Sequence, residues 1–281
     1  METTRQFPWI LIVVATTCLL YRGNARNSGD DVIILSMMND SAAYVYTQSN
    51  ESDMLAIEYL ATERRFNKTL DDAWRDASSL RQNDPRLSKV PVPRGLKEEH
   101  VVAVIAYTLE TELYRQFNAA LRLYGTNDSM YAEKFPFKSF QYLLSIALER
   151  LIEELGKPPQ PTYRRMKKTC TGNVGERIKF GTFASSSRSK EHYEFGSKTV
   201  FTIFSQYGAQ IQNYSAVPDQ EEVLIPPYEA FKITSYKRRD DGVDISLQKD
   251  GKAEIKVRVE RGSNGEMRVL RHEETCPYRR G

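Results

Sequence analysis

Hydrophobic positions along the chain change their spacing near residue 160. Between about residues 52 and 156 the apolar side chains recur at helical intervals. The longest such run consists of Phe140, Leu143, Leu144, Ala147, Leu148, Leu151, Ile152 and Leu155. Its gaps leave one face of a helix continuously apolar. The run predicts a buried helix that ends at Gly156, just before Pro158 and Pro159.

The same spacing predicts further helices upstream. Residues 54–60 indicate a short helix, and Trp74 lies on a second helix that stops near residues 83–85. Thr69 is the expected N-cap of that second helix, because a threonine hydroxyl can accept an otherwise unpaired backbone N–H. Residues 96–123 predict one or two more helices.

Beyond residue 160 apolar and polar residues alternate, which is typical of strands. The segments that follow this pattern are residues 178–185, 198–204, 222–225, 230–234, 243–247 and 253–259. Asp-Gly pairs at 241–242 and 250–251 and an Asn-Gly pair at 264–265 predict tight hairpin turns. A helical region (about 52–156) followed by a strand-rich region (about 160–281) predicts an α+β fold. The strand-rich region suits one sheet or a small two-sheet sandwich, and we expect the helices to pack on this β core.

The first residues predict export from the cell. Arg5 gives a basic start, residues 9–20 form a short apolar run, and Ala25 offers a small residue at a cleavage site. Residues 1–25 are therefore interpreted as a signal peptide, with a buried N-terminal helix as the alternative. Residues 26–281 would then form one domain. The polar C-terminus lacks the hydrophobic tail that a lipid-anchor signal needs, so we expect a secreted protein without a membrane anchor.

Glycosylation sequons and cysteines agree with that location. Sequons begin at Asn39, Asn50, Asn67, Asn127 and Asn213. Of the three cysteines, Cys18 leaves with the signal peptide, and Cys170 and Cys276 remain. An even pair in an oxidising compartment is expected to form a disulfide, with two free thiols as the alternative.

Composition excludes two classes of partner. The sequence has 40 basic and 37 acidic residues, and a net charge of +3 is too weak to indicate a nucleic-acid partner. The three histidines are far apart and lack the spacing of metal ligands, so we expect no metal. Acid–base chemistry would therefore depend on carboxylates.

Three features of the strand-rich half could carry such chemistry. Arg164 lies where a strand begins, three serines at 185–187 end a strand, and a Gln-Glu-Glu triplet at 220–222 precedes another. Separately, a serine run is typical of a turn and a glutamate pair of a solvated edge. Together they offer a cation, a hydroxyl and a carboxylate at strand ends.

Several segments resemble the vertebrate ecto-mono-ADP-ribosyltransferases of the Arg-Ser-Glu type. The strand-half segments are residues 180–187 (FGTFASSS), 195–203 (FGSKTVFTI) and 221–229 (EEVLIPPYE). In the helical half, residues 106–108, 113–120 and 135–138 are similar to the stretches before the family's core. The resemblance covers nearly all of the mature chain, and it implies NAD bound in a cleft between sheets rather than on a Rossmann fold.

The resemblance also implies roles for individual residues. Arg164 would hold a phosphate of NAD by charge-assisted hydrogen bonds. Ser185 would order the nicotinamide ribose and the catalytic carboxylate, which would be Glu222. Phe195 would stack on nicotinamide, and Tyr107 would border the cofactor. NADP is a second candidate donor.

One position departs from the family pattern. Arginine-specific members of this family carry a Glu-x-Glu pattern. In this sequence Gln220 occupies the first position of that pattern. The expected function is a secreted, monomeric transferase that moves ADP-ribose to arginine side chains of an extracellular or cell-surface protein. An NAD glycohydrolase, with water as the acceptor, and a catalytically silent glycosylated binding protein remain alternatives. Family members commonly carry two disulfides, of which this chain would keep one, Cys170–Cys276.

Overall fold

The computed structural model describes residues 32–36, 43–125, 127–252 and 255–272. The signal peptide at 1–25, the sequon at Asn39, Cys276 and the C-terminal residues 273–281 lie outside the described residues. The interpretations made for these segments therefore stay predictions.

Helices occupy most of the first half of the described chain. They are α1 (Asn50–Phe66), α2 (Lys68–Asn83), α3 (Glu98–Thr108), α4 (Leu113–Tyr124), α5 (Asp128–Lys134) and α6 (Lys138–Leu155). Within the described ranges, no helix is both long enough and apolar enough to cross a membrane.

Helix α6 is the helix that the apolar run predicts. Its residues from Lys138 to Leu148 are buried without interruption, and it packs against α1, α3 and a strand of the large sheet. The helix ends at Gly156, whose φ of 77° lies in the left-handed region that glycine adopts without steric cost. The predicted boundary is confirmed.

The other helices differ from the prediction in their ends. Helix α1 has 17 residues, so it is not short. Helix α2 is capped by Asn67 rather than Thr69, because the Asn67 side chain accepts a hydrogen bond from Leu70 N at 3.1 Å. Helix α5 is unpredicted: it has only 7 residues, too few to show a helical period.

Thirteen strands in the described chain form three sheets. They are β1 (Ile33–Ile34), β2 (Tyr44–Tyr46), β3 (Thr162–Met166), β4 (Cys170–Thr171), β5 (Arg177–Lys179), β6 (Ala184–Ser187), β7 (Thr199–Phe204), β8 (Ala209–Gln210), β9 (Glu222–Ile225), β10 (Glu229–Arg239), β11 (Gly242–Lys252), β12 (Ile255–Arg261) and β13 (Met267–Arg271). The large sheet has the order β5-β10-β11-β7-β3-β6-β9-β8, and the smaller ones are β13-β12-β2 and β1-β4. The α+β prediction is confirmed.

Two predictions about strands are wrong. The segment 178–185 divides into β5 and β6, because Gly181, at a φ of 68°, turns the chain between them. The Asp-Gly pair at 250–251 makes no hairpin: it lies inside β11, and β12 pairs in a different sheet with β2 and β13. The turns at 241–242 and 264–265 do join antiparallel strands, as predicted.

Strands β6 and β9 are covered on both faces. Phe183, which directly precedes β6, and Leu224 of β9 belong to the hydrophobic cluster shared with the helices. Their neighbours Ala184 and Ile225 belong to a second cluster within the large sheet. Successive residues of a strand point to opposite faces, so both strands are fixed from either side. They form a rigid platform for the side chains at their ends.

Candidate active site

Three neighbouring strands bring Arg164, Ser185 and Glu222 together. Strand β6 lies between β3 and β9, and the register pairs Ser185 with Leu224 and Ser187 with Glu222. Arg164 Nη1 donates a hydrogen bond to the backbone oxygen of Ser185 at 2.6 Å. The Ser185 side chain is hydrogen-bonded to the Glu222 carboxylate. These residues are far apart in the sequence but form one cluster in the fold.

The Glu222 carboxyl group is 5% exposed, and burial raises its pKa to about 7. The hydrogen bond from Ser185 and the positive charge of Arg164 act in the opposite direction. A buried carboxylate is stabilised by such a donor and cation. Glu222 therefore changes its protonation state near neutral pH.

Arg164 has spare capacity to bind an anion. Its Nε atom is buried and makes no hydrogen bond with the described residues. The guanidinium lies 5.8 Å from the centre of the Phe180 ring, and burial lowers the pKa of Arg164 from its usual value. Buried donors are normally paired, so the unpaired Nε is a candidate contact for a bound ligand.

Tyr107 closes one side of the cluster. It is a buried residue of α3, and its hydroxyl donates to Phe183 O at 3.1 Å and accepts from Asn118 Nδ2 at 3.0 Å. Ser185 is a further hydrogen-bond partner, and the charges of Glu222 and Arg164 act on the phenol. Burial raises the pKa of Tyr107, so the phenol stays neutral.

Two polar residues of α4 at this site were missed from the sequence. Asn118 donates a hydrogen bond from Nδ2 to the Tyr107 hydroxyl, and its Oδ1 is buried without a partner among the described residues. Arg122 lies one helical turn further on, and its charge acts on both Tyr107 and Arg164. Arg122 is exposed, yet the surrounding protein atoms desolvate its guanidinium and lower its pKa. The spacing of four residues between Asn118 and Arg122 could have shown from the sequence that they lie on the same face of one helix.

Phe195 comes from the loop between β6 and β7. It ends the 3-10 turn Tyr193–Phe195 and is 42% exposed, and its ring centre lies 5.8 Å from that of His192. An exposed ring is free to stack on a planar ligand. The contact with nicotinamide stays a prediction.

Gln220 ends the 3-10 turn Pro218–Gln220, two residues before Glu222. Its side chain is half-buried and makes no hydrogen bond within the described part of the chain. Between them, Glu221 has a left-handed backbone, with a φ of 46°. Gln220 is thus available to an incoming group at the end of β9 where Glu222 begins.

Cys170 lies close enough to the cluster for its thiol and the Arg164 guanidinium to interact electrostatically. Cys170 is fully buried on β4, and burial raises the pKa of its thiol. Its predicted partner, Cys276, lies outside the described residues, so the disulfide stays a prediction. In the described ranges no group of three or more His, Cys, Asp or Glu residues is placed to hold a metal.

Comparison with known proteins finds curated relatives that are named ADP-ribosyltransferases. A chicken (Gallus gallus) erythroblast NAD(P)(+)–arginine ADP-ribosyltransferase is 37% identical over 189 residues, which cover 66% of this chain and 62% of the relative. Chicken NAD(P)(+)–arginine ADP-ribosyltransferase 2 is 32% identical over 254 residues, covering 87% of this chain and 79% of the relative. The matches to the first curated relatives thus span about 60% of those proteins' length.

A solved structure of a mono-ADP-ribosyltransferase is similar to this chain in fold. The crystal structure of the eucaryotic mono-ADP-ribosyltransferase ART2.2 superposes with a TM-score of 0.66 at 28% identity, covering 80% of this chain and 98% of that chain. Mutants of ART2.2 have been solved in complex with NADH and with NAD. The family described as NAD:arginine ADP-ribosyltransferase matches residues 39–254. Since that match spans most of the sequence, the chain belongs to the NAD:arginine ADP-ribosyltransferase family.

Proposed function

We propose that the protein is a mono-ADP-ribosyltransferase that transfers ADP-ribose from NAD to arginine side chains of proteins and releases nicotinamide. The observation that carries the proposal is the mutual contact of Arg164, Ser185 and Glu222 in a chain of this family. Relatives named NAD(P)(+)–arginine ADP-ribosyltransferases support NAD, with NADP as a second donor.

Two cations would hold the donor. Arg164 offers its unpaired Nε, and the charge of Arg122 acts on the same region from α4. A diphosphate carries two negative charges, and guanidinium groups bind such oxygens by charge-assisted hydrogen bonds. Arg164 would contact the diphosphate most directly, while Phe195 and Tyr107 would border the nicotinamide end.

Glu222 would carry the central step. The bond between the ribose C1′ and the nicotinamide nitrogen breaks, nicotinamide leaves as a neutral molecule, and positive charge develops on the ribose. An ionised carboxylate at that position stabilises this charge. The hydrogen bond from Ser185 orients the Glu222 carboxylate and favours its ionised form. A guanidine nitrogen of the acceptor then bonds to C1′, and its proton passes to solvent water.

Gln220 favours a second candidate, an NAD glycohydrolase in which water replaces the guanidine. A neutral amide accepts a hydrogen bond from a guanidinium, but it cannot take the proton that the acceptor must lose. We therefore expect NAD cleavage to be retained and arginine transfer to be slow.

A product assay separates the candidates. The protein is incubated with NAD, with and without a small guanidine, and nicotinamide, free ADP-ribose and guanidine adduct are quantified. Glu222→Gln, which keeps the size of the side chain, is the control variant. Adduct formed by wild type only supports the transferase. Free ADP-ribose without adduct would identify a glycohydrolase, and no nicotinamide release by wild type would leave only the binding protein.

The place of action is outside the cell. Relatives are named ecto-enzymes, and some are GPI-linked, which supports an extracellular or cell-surface location. We propose the secreted form, with residues 1–25 removed and one domain at 26–281. Among the described sequons, Asn50, Asn127 and Asn213 are exposed, whereas Asn67 is half-buried.

Mass spectrometry of the unreduced protein from culture medium tests this form. It would show a chain that begins near residue 26, glycans on exposed sequons and a Cys170–Cys276 bond. A chain retained on cells and released by a phospholipase would refute the secreted form. A mass that corresponds to a monomer under native conditions is also expected.

A further inference from the structure

Residues 211–221, here called the acceptor loop, connect β8 to Glu222 and include Gln220. The first half of this loop is attached to the helical region. Arg86 donates from Nη1 to Asn213 O at 3.0 Å and from Nη2 to Ser215 O at 2.7 Å. The backbone N–H of Ala216 donates to Thr108 Oγ1 at 2.9 Å. This half is therefore fixed independently of the site.

The two ends of the acceptor loop are joined by Arg188, which follows β6 directly. Its Nη2 donates to Gln212 Oε1 at 3.0 Å and lies 3.2 Å from Glu221 Oε2. Its backbone N–H donates to Glu221 O at 3.3 Å. One arginine thus contacts the beginning and the end of the loop through three interactions.

The end that Arg188 holds is the strained one. Glu221 has φ 46° and ψ 44°, and within the described residues it is the one non-glycine residue with a positive φ. This left-handed conformation is unfavourable for a residue with a Cβ atom, so surrounding contacts must maintain it. The conformation separates a half-buried Gln220 from a buried Glu222.

We propose that Arg188 is a positioning residue that determines acceptor selection, by keeping the Glu221 carboxylate paired and the Glu221 backbone in its left-handed conformation. This inference rests on the proposed transfer function. An acceptor guanidinium meets the neutral amide of Gln220 while the neighbouring carboxylate of Glu221 is neutralised by Arg188. Arg188 contacts neither Arg164 nor Glu222 through its side chain, so donor cleavage does not depend on it.

The experiment compares Arg188→Ala, Arg188→Lys, Glu221→Gln and the charge reversal Arg188→Glu with Glu221→Arg. Arg177→Ala is the matched control, because it removes an exposed arginine–aspartate pair at the far edge of the large sheet. Each variant is assayed for nicotinamide release, for KM of NAD and of a small guanidine, and for hydrogen exchange of residues 211–222.

The expected result has two parts. Arg188→Ala speeds hydrogen exchange in residues 211–222 and changes the KM of the guanidine by about tenfold, equivalent to about 1.4 kcal/mol. Nicotinamide release and the KM of NAD stay within about twofold, as for other surface substitutions. The charge reversal restores slow exchange and the wild-type KM of the guanidine, whereas Arg188→Lys restores them in part.

Other outcomes overturn the proposal. Unchanged exchange in Arg188→Ala would show that the side chain does not hold the loop, whatever the activity. Equal losses of nicotinamide release and guanidine transfer would show a general structural role. If wild type releases no nicotinamide, the proposed function fails and the acceptor role fails with it, while hydrogen exchange still reports whether Arg188 holds the loop.

Discussion

The protonation of Glu222 should set the pH dependence of NAD cleavage. Burial raises the pKa of this carboxyl to about 7, and the ionised form is the one that stabilises positive charge on the ribose. Activity therefore rises as pH rises through about 7 and levels off above it. Ser185→Ala is the informative perturbation, because it removes a donor that stabilises the ionised form while the backbone contact to Arg164 remains.

The size of the effect follows from the geometry. With a pKa of about 7, about a tenth of Glu222 is ionised at pH 6 and about nine tenths at pH 8. A hydrogen bond to a charged group contributes about 1.5 kcal/mol or more, which corresponds to about one pH unit. The midpoint of Ser185→Ala should therefore move about one unit upward, and its activity at pH 7 should fall about fivefold or more.

The assay is the kcat/KM of nicotinamide release between pH 5.5 and 9, with thermal melting recorded at each pH. Melting excludes unfolding as the cause of any loss, since other buried carboxyl groups also titrate in this range. A wild-type midpoint near 4.5, or an unchanged midpoint in Ser185→Ala, would refute the link between burial, the hydrogen bond and activity.

Three further predictions concern other parts of the molecule. Gln220→Glu should increase the ratio of guanidine adduct to free ADP-ribose about tenfold or more, since a carboxylate can take the acceptor proton. Gln220→Asn is the control. An unchanged product ratio in Gln220→Glu would contradict the account of this position. Burial raises the pKa of Glu63 from 4.5 to about 8, so its contribution to stability is present at low pH and is lost as pH rises between these values. In melting experiments Glu63→Gln should therefore gain stability relative to wild type as pH rises from 5 to 8.5, and a constant difference would count against it. Leu144→Ala, on the fully buried face of α6, should lower the free energy of unfolding by about 2–5 kcal/mol in urea titrations. The exposed control Arg115→Ala should lower it by less than about 0.5 kcal/mol. Equal effects of the two variants would be inconsistent with a packed core.

Local patterns were sufficient where local physics decides the structure. The apolar run at 140–155 was enough to predict α6, because one continuous face of that helix must be buried. The end of the helix at Gly156 depends only on the backbone conformation of that glycine. The strand at 222–225 was predicted with its observed bounds. The fold class followed from a helical region that precedes a strand-rich one. The roles of Arg164, Ser185 and Glu222 came from the motif order that the resemblance supplied.

Contacts between distant segments were beyond the sequence. The pairing of β2 with β12 joins residues more than 200 positions apart, and no local period reports it. Asn67 displaced Thr69 as the cap because the choice depends on where the preceding helix ends. No sequence motif singles out Arg188 or Arg122. Only the fold shows that Arg188 contacts the acceptor loop and that the charge of Arg122 acts on Arg164.

Arg164 is attached to Ser185 through the main chain rather than through the serine hydroxyl. Every residue type has that carbonyl oxygen, so the cation keeps its anchor whatever side chain occupies position 185. If Arg164 holds the donor and Glu222 carries the chemistry, as proposed, these two roles depend on different atoms of residue 185. If Ser185 were replaced, Arg164 would keep its hydrogen bond to the main chain at position 185, and the Glu222 carboxylate would lose a donor.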